Sequence, residues 1–110
     1  MPASPSESPQ EVGPVVGRTT REIRLGGLPR QVECETERWP YGVTVARIGG
    51  TAVYGEGPDL DAAVADLAEN VVLFIDRTRK ALARGATLGG AVRKDWETLQ
   101  RLAGGEPTTA

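Results

Sequence analysis

The sequence has no histidine and a single cysteine, Cys34, among its 110 residues. Without histidine the chain can form no Ser-His-Asp triad, no Cys-His pair and no imidazole metal site. A lone cysteine can form neither an internal disulfide nor a cysteine-rich zinc site, which is typical of proteins from reducing compartments. We therefore expect a cytoplasmic protein that is not an enzyme and that binds no metal and no cofactor.

Aromatic residues and long apolar runs are also scarce. Aromatic side chains make up 5% of the chain, and no stretch approaches the roughly 20 apolar residues of a membrane span. We therefore expect no association with a membrane. The length is enough for one domain, and a small core with few aromatics predicts that the protein forms a homo-oligomer or binds a protein partner.

The two ends differ in composition from the middle of the chain. Residues 1–17 hold four prolines, three serines and two glutamates, too few apolar side chains to offset the entropy of ordering the segment. They also lack the apolar run of a secretory signal. We predict a disordered tail over 1–17, a single α+β domain over 18–104 and a flexible C-terminus over 105–110.

Several short segments separated by tight turns are typical of β-strands. The clearest are residues 31–39, 43–48 and 51–54, and a weaker candidate is 20–25. Because their connections are short, neighbouring strands are expected to be antiparallel. Side chains alternate between the two faces of the first clear strand. Those predicted to face the core are Val32, Cys34 and Thr36, and those predicted to face water are Glu33, Glu35 and Glu37.

Two helices are predicted after the strands. Asp59 is placed to cap the first helix, which should end near Ala83 or Arg84 because Gly85 suits a left-handed cap. Residues 91–103 predict a second, shorter helix. The fold class expected is α+β, a small antiparallel three-stranded sheet packed on a long helix, with a second short C-terminal helix. The spacing of apolar residues predicts that the first helix buries Leu60, Val64, Leu67, Val71, Phe74 and Leu82, and that the second buries Val92, Trp96 and Leu99.

Few residues offer chemistry. Cys34 is expected to be a buried, inert thiol, because no histidine can activate it and the glutamates beside it should raise its pKa. The acidic row Glu33, Glu35 and Glu37 has no partners in the spacing that would favour catalysis or metal binding. Trp39 and Tyr41 flank a turn, where aromatic side chains are common anchors at protein interfaces. These five residues from Glu33 to Tyr41 are the predicted partner-binding site.

Residues 32–82 resemble the HicB antitoxin family. Three strands precede a helix start in which Gly57, Asp59, Leu60 and Ala63 match the family's Gly-x-Thr-hydrophobic-x-Glu-Ala pattern, with Asp59 in place of the threonine. The chain departs from the pattern at Ala62, which replaces the glutamate, and at residues 47–50, which replace a proline-containing turn. The resemblance implies a βββα core that binds and neutralises a small basic ribonuclease toxin. Family members often repress their own operon through an added DNA-binding module, but only one helix follows Gly85, so direct DNA binding is not expected.

Other interpretations remain open on the sequence alone. The same surfaces would serve a homo-oligomeric structural or adaptor protein that has no toxin partner. Residues 21–25 also have the basic, alternating pattern of a ribbon-helix-helix strand, although that interpretation requires helices where residues 31–54 predict strands. The arginines and lysines near residues 77–84 permit a nucleic-acid footprint, but the preferred explanation is that basic residues late in a helix complement its dipole.

Overall fold

The computed structural model describes residues 13–25 and 27–104, which form a four-stranded antiparallel sheet and two helices. Strands β1 (Val15–Leu25), β2 (Leu28–Trp39), β3 (Val43–Ile48) and β4 (Tyr54–Gly57) lie side by side in chain order. Helices α1 (Leu60–Ala83) and α2 (Gly90–Gly104) follow. The α+β class and the antiparallel meander are thus confirmed, and the predicted number of three strands is corrected to four.

The additional strand comes from the segment before residue 31. Strand β1 pairs with β2 along its whole length, from Val15 opposite Arg38 to Leu25 opposite Leu28. Residues 15–17, which we had predicted to belong to the tail, are therefore part of the sheet, where β-branched Val15 and Val16 suit an extended backbone. The rest of the predicted tail before residue 13 and the predicted flexible end at 105–110 lie outside the described residues. Because strands follow Leu25, the ribbon-helix-helix interpretation is wrong.

The last strand lies further along the chain than predicted. We expected a strand over 51–54 ended by Gly55, whereas β4 runs from Tyr54 to Gly57. Thr51 instead belongs to the turn after β3, where its hydroxyl donates to the Ile48 carbonyl and accepts from the Val53 amide. A threonine that hydrogen-bonds to nearby backbone favours a turn over a continuing strand.

Helix α1 begins and ends where the capping residues predict. The Asp59 carboxylate accepts a hydrogen bond from the Ala62 amide at 2.9 Å, and Gly85 has the positive φ of 90° expected of a left-handed cap. On the outer side of α1, Lys80 Nζ lies 3.1 Å from Asp76 Oδ2, one turn earlier in the helix. The buried face of α1 differs in part from the prediction, since Ile75 and Thr78 are buried whereas Leu82 is 39% exposed.

Glycines bring the backbones of α1 and β4 into direct contact. A Cβ atom built on Gly55 would overlap the Leu67 amide nitrogen and lie 2.6 Å from the Ala63 carbonyl oxygen. A Cβ on Gly57 would lie 2.6 Å from the Ala62 Cβ. The two glycines face the helix from alternate positions of one strand, so this crossing requires residues without a side chain.

The core lies between the sheet and the two helices. Its fully buried large side chains come from β1, β2, β3, α1 and α2: Leu25, Val32, Cys34, Ile48, Leu67, Val71 and Leu99. Helix α2 reaches β2 through Arg30, whose guanidinium donates to the Ala103 carbonyl at 3.1 Å. The predicted inner position of Val92 in α2 is wrong, because this residue is 43% exposed while Leu99 is buried.

Candidate functional site

One face of the sheet is covered by the helices and the other is open. Since side chains alternate along a strand, burial of Val32 and Cys34 on the covered face places Glu33, Glu35 and Glu37 together on the open face of β2. The acidic row therefore lies where we predicted it. Glu33 is exposed, and Glu35 and Glu37 are half-buried.

Arginines from both neighbouring strands flank this acidic row. In the strand register, Glu35 lies between Arg18 of β1 and Arg47 of β3. Arg18 Nη1 is 3.6 Å from Glu33 Oε2, and Arg47 Nη1 is 3.8 Å from Glu37 Oε2. Pairs at this distance near the surface contribute little to stability. Their main effect is that the face presents alternating charges rather than a purely acidic surface.

The two predicted aromatic anchors lie together at the end of the row. The rings of Trp39 and Tyr41 stack with centroids 5.9 Å apart and planes inclined by 27°. Trp39 is half-buried, and its indole nitrogen donates to Glu37 Oε1 at 3.2 Å. Tyr41 lies in the turn between β2 and β3 and is 73% exposed. The structure thus brings all five predicted residues into one continuous strip from Glu33 to Tyr41.

A groove of about 730 Å³ opens beside the aromatic pair. It runs between the start of β1, the turn after β2 and the start of α1, and Trp39 forms part of its wall. Val15, Val16, Arg38 and Leu60 also line it. Because Arg38 precedes Trp39 by one residue, its side chain projects to the helix side of the sheet, so the groove lies on that side and meets the strip at Trp39.

Cys34 lies on the opposite side of the sheet from this strip. Its side chain is fully buried in the core, as the sequence predicts. Burial raises the pKa of the Cys34 thiol, and the nearby Arg21 guanidinium partly opposes that rise. The predicted cause was the adjacent glutamates, which is wrong because Glu33 and Glu35 project to the other face.

Comparison of this chain with protein-family models, curated proteins and solved structures found no match. The site must therefore be interpreted from its own geometry. Within residues 13–25 and 27–104, no group of three or more cysteine, aspartate and glutamate side chains is arranged to hold a metal ion. Neither α1 nor α2 is long and apolar enough to cross a bilayer.

The sequence interpretation missed the arginine on β1. The position of Arg18 opposite Glu35 depends on the register of the β1–β2 hairpin. The pairing of Leu25 with Leu28 at the end of the hairpin is part of that register. The glycine pair at residues 26 and 27 was the available signal, since extending the pairing outward from such a turn places Arg18 against the acidic row.

Proposed function

We propose that this chain is a non-catalytic protein-binding module of the cytoplasm whose partner covers the open face of the sheet around Trp39 and Tyr41. The observation that carries the proposal is the stacked aromatic pair, of which Tyr41 is 73% exposed. Aromatic side chains are enriched among the residues that dominate binding energy at protein interfaces.

The pair is already held in one arrangement before a partner arrives. Trp39 is fixed by its hydrogen bond to Glu37 and by the packing that half-buries it. Its ring in turn restricts Tyr41 by stacking. Side chains that are ordered in the free protein lose less conformational entropy on binding, which strengthens the complex.

Around the strip the face carries three carboxylates against two guanidinium groups, and this small excess of negative charge favours a basic partner. Glu33, Glu35 and Glu37 form a line of carboxylates leading to the aromatic pair, and the whole chain carries a formal net charge of -2. Such a line of carboxylates would increase the association rate with a cationic surface. Arg18 and Arg47 would favour partners whose own charges are spaced to match the alternating charges of this face. A small ribonuclease toxin, the partner that the resemblance to HicB antitoxins implies, has a surface of this kind because its substrate is anionic.

The proposed mechanism is masking. A partner seated on the strip would have its own nucleic-acid-binding surface covered by the sheet, which requires no reaction by this chain. The buried thiol of Cys34 is consistent with that role because it lies in the core, away from the strip. A homo-oligomeric adaptor is the second candidate, favoured by the uncovered edge of β1.

Co-expression with the product of each adjacent gene, followed by size-exclusion chromatography, tests the proposal. We expect a small basic protein encoded by an adjacent gene to co-elute with the chain.

Charge reversal tests the acidic row. Replacing Glu33 and Glu35 by lysine should slow association with the partner at low salt. The matched control replaces two exposed acidic residues of the helices, Asp76 and Glu97, by lysine. If neither neighbour co-elutes, the antitoxin proposal is wrong. An association rate equal to that of the control would remove the acidic row from the site.

A further inference from the structure

The two edge strands of the sheet, β1 and β4, differ in whether side chains of the described residues hydrogen-bond to their outer backbone groups. On the outer edge of β4, Asn70 Nδ2 donates to the Tyr54 carbonyl at 2.8 Å, and the Glu56 amide donates to Asp66 Oδ2 at 2.9 Å. Helix α1 thus occupies that edge with side chains. No hydrogen bond among residues 13–25 and 27–104 does the same for the outer edge of β1, which is 11 residues long. A long uncovered edge is a template for pairing with another strand.

The register identifies which backbone groups of β1 point outward. The Gly49 amide donates to the Glu33 carbonyl, so the odd-numbered residues of β2 bond to β3 and its even-numbered residues, which lie opposite the odd-numbered residues of β1, bond to β1. Because hydrogen-bonded and non-hydrogen-bonded pairs alternate along an antiparallel pair, the odd-numbered residues of β1 bond to β2. The amides and carbonyls of the even-numbered residues from Val16 to Arg24 therefore face the free edge.

We propose that a second copy of this chain pairs with β1 through this edge, antiparallel, with the two-fold axis at Thr20. In that register Arg18 lies opposite Glu22 of the other copy, and the same pair recurs across the axis. Thr20 lies opposite its own symmetry mate, a favourable cross-strand combination. Each of these positions has outward-facing backbone groups, so each opposed pair exchanges two hydrogen bonds.

Neighbouring registers would either place like charges opposite each other or form no pair of opposite charges between the two copies. An axis at Glu22 places this residue opposite itself, and an axis at Arg18 does the same for the arginine. An axis at Arg21 opposes Arg18 and Arg24, while an axis at Thr19 pairs no opposite charges. Like charges directly opposite each other are destabilising. The axis at Thr20 is the register in which the charges of β1 complement those of a second copy.

Exposed apolar residues lie where the second copy would cover them. Val15 and Val16 are each 71% exposed, and in the proposed register they lie opposite Leu25 and Arg24 of the other chain. A shallow apolar depression beside β1 is lined by Arg24 and by α1 residues that include Val72 and Leu73. The two copies would thus form a continuous eight-stranded sheet with both α1 helices on the same side.

Sedimentation equilibrium of the full chain, with single and paired charge reversals, tests the register. The Arg18→Glu variant opposes two glutamates and Glu22→Arg opposes two arginines, so each should weaken dimerisation about tenfold, or about 1.4 kcal/mol over the two symmetry-related pairs. The double variant restores opposite charges and should regain the dimer. As controls for net charge, Arg79→Glu and Glu97→Arg change exposed helical residues and should leave the dimer intact.

A second variant tests the use of the edge itself. Thr20→Pro removes an outward amide without removing a bond to β2, so it should give a monomer that keeps the circular dichroism spectrum of the parent chain. A wild-type chain that is monomeric at every accessible concentration would overturn the proposal. A dimer that persists in Thr20→Pro, or single reversals that the double variant fails to rescue, would also overturn it. The inference does not depend on the proposed function, whose test concerns a different protein and the strip ending at Tyr41.

Discussion

Replacement of Gly55 by alanine tests the close contact between α1 and β4. The added Cβ would overlap the Leu67 amide and lie 2.6 Å from the Ala63 carbonyl oxygen. Both neighbours are helix backbone, so neither can rotate away as a side chain would. To restore ordinary contact, the helix and the strand must separate by more than about 1 Å, which disturbs packing along the core.

The expected magnitude follows from two opposing effects. Forcing a methyl group into a closely packed site typically costs about 1–3 kcal/mol, and stiffening the unfolded chain by replacing glycine returns about 0.4–1 kcal/mol. Because the overlap here is with backbone on both sides, we expect a value near the upper end, a net loss of about 2 kcal/mol. At a typical urea dependence of about 1 kcal/mol per molar for a small domain, the midpoint should fall by about 2 M.

Urea unfolding followed by far-ultraviolet circular dichroism measures this change. Gly49→Ala is the matched control, because its added methyl would lie 3.6 Å from the nearest atom, Glu35 Oε2, at ordinary contact distance. We expect the control to stay within about 0.5 kcal/mol of the parent chain. All samples should be compared at one protein concentration, since any self-association changes the apparent stability. A Gly55→Ala midpoint equal to that of Gly49→Ala would refute the packing argument.

Three further predictions concern other features of the fold. Asp59→Ala should cost about 1 kcal/mol in urea unfolding because the Ala62 amide loses its cap, while Asp59→Asn should retain most of it; equal losses would contradict the capping role. Cys34 should react with a thiol reagent much more slowly in the folded chain than in denaturant, since it is buried and its pKa is raised; equal rates at pH 8 would show that the site is open. Replacing both Asp66 and Asn70 by alanine should expose the β4 edge and increase aggregation measured by light scattering; unchanged scattering would show that these side chains do not protect the edge.

Local signals in the sequence were sufficient for part of the fold. Strand β3 has the predicted bounds because its β-branched residues lie between two glycine-containing turns. Helix α1 has the predicted bounds because Asp59 and Gly85 act through neighbouring backbone, which a sequence shows directly. The side of β2 on which the acidic row lies followed from simple alternation.

Features that depend on tertiary contacts were not predictable in the same way. Gly55 and Gly57 indicate the end of a strand in isolation, and their place inside β4 makes sense only once a helix packs on them. Apolar residues surround much of α1, so the periodicity could not distinguish exposed Leu82 from buried Ile75. The pairing of Arg18 with the acidic row required the register of a strand whose first residues were assigned to the tail.

The affinity of a purified complex with the co-expressed neighbour most directly tests the claim that the strip ending at Tyr41 binds a protein. Calorimetric titration should compare the parent chain with Tyr41→Ala and with Val92→Ala, which removes an exposed apolar side chain from α2, away from the open face of the sheet. We predict that Tyr41→Ala raises Kd at least about 30-fold, corresponding to an anchor contributing about 2 kcal/mol, and that Val92→Ala changes it by less than about threefold. Equal affinities for the two variants would contradict the account.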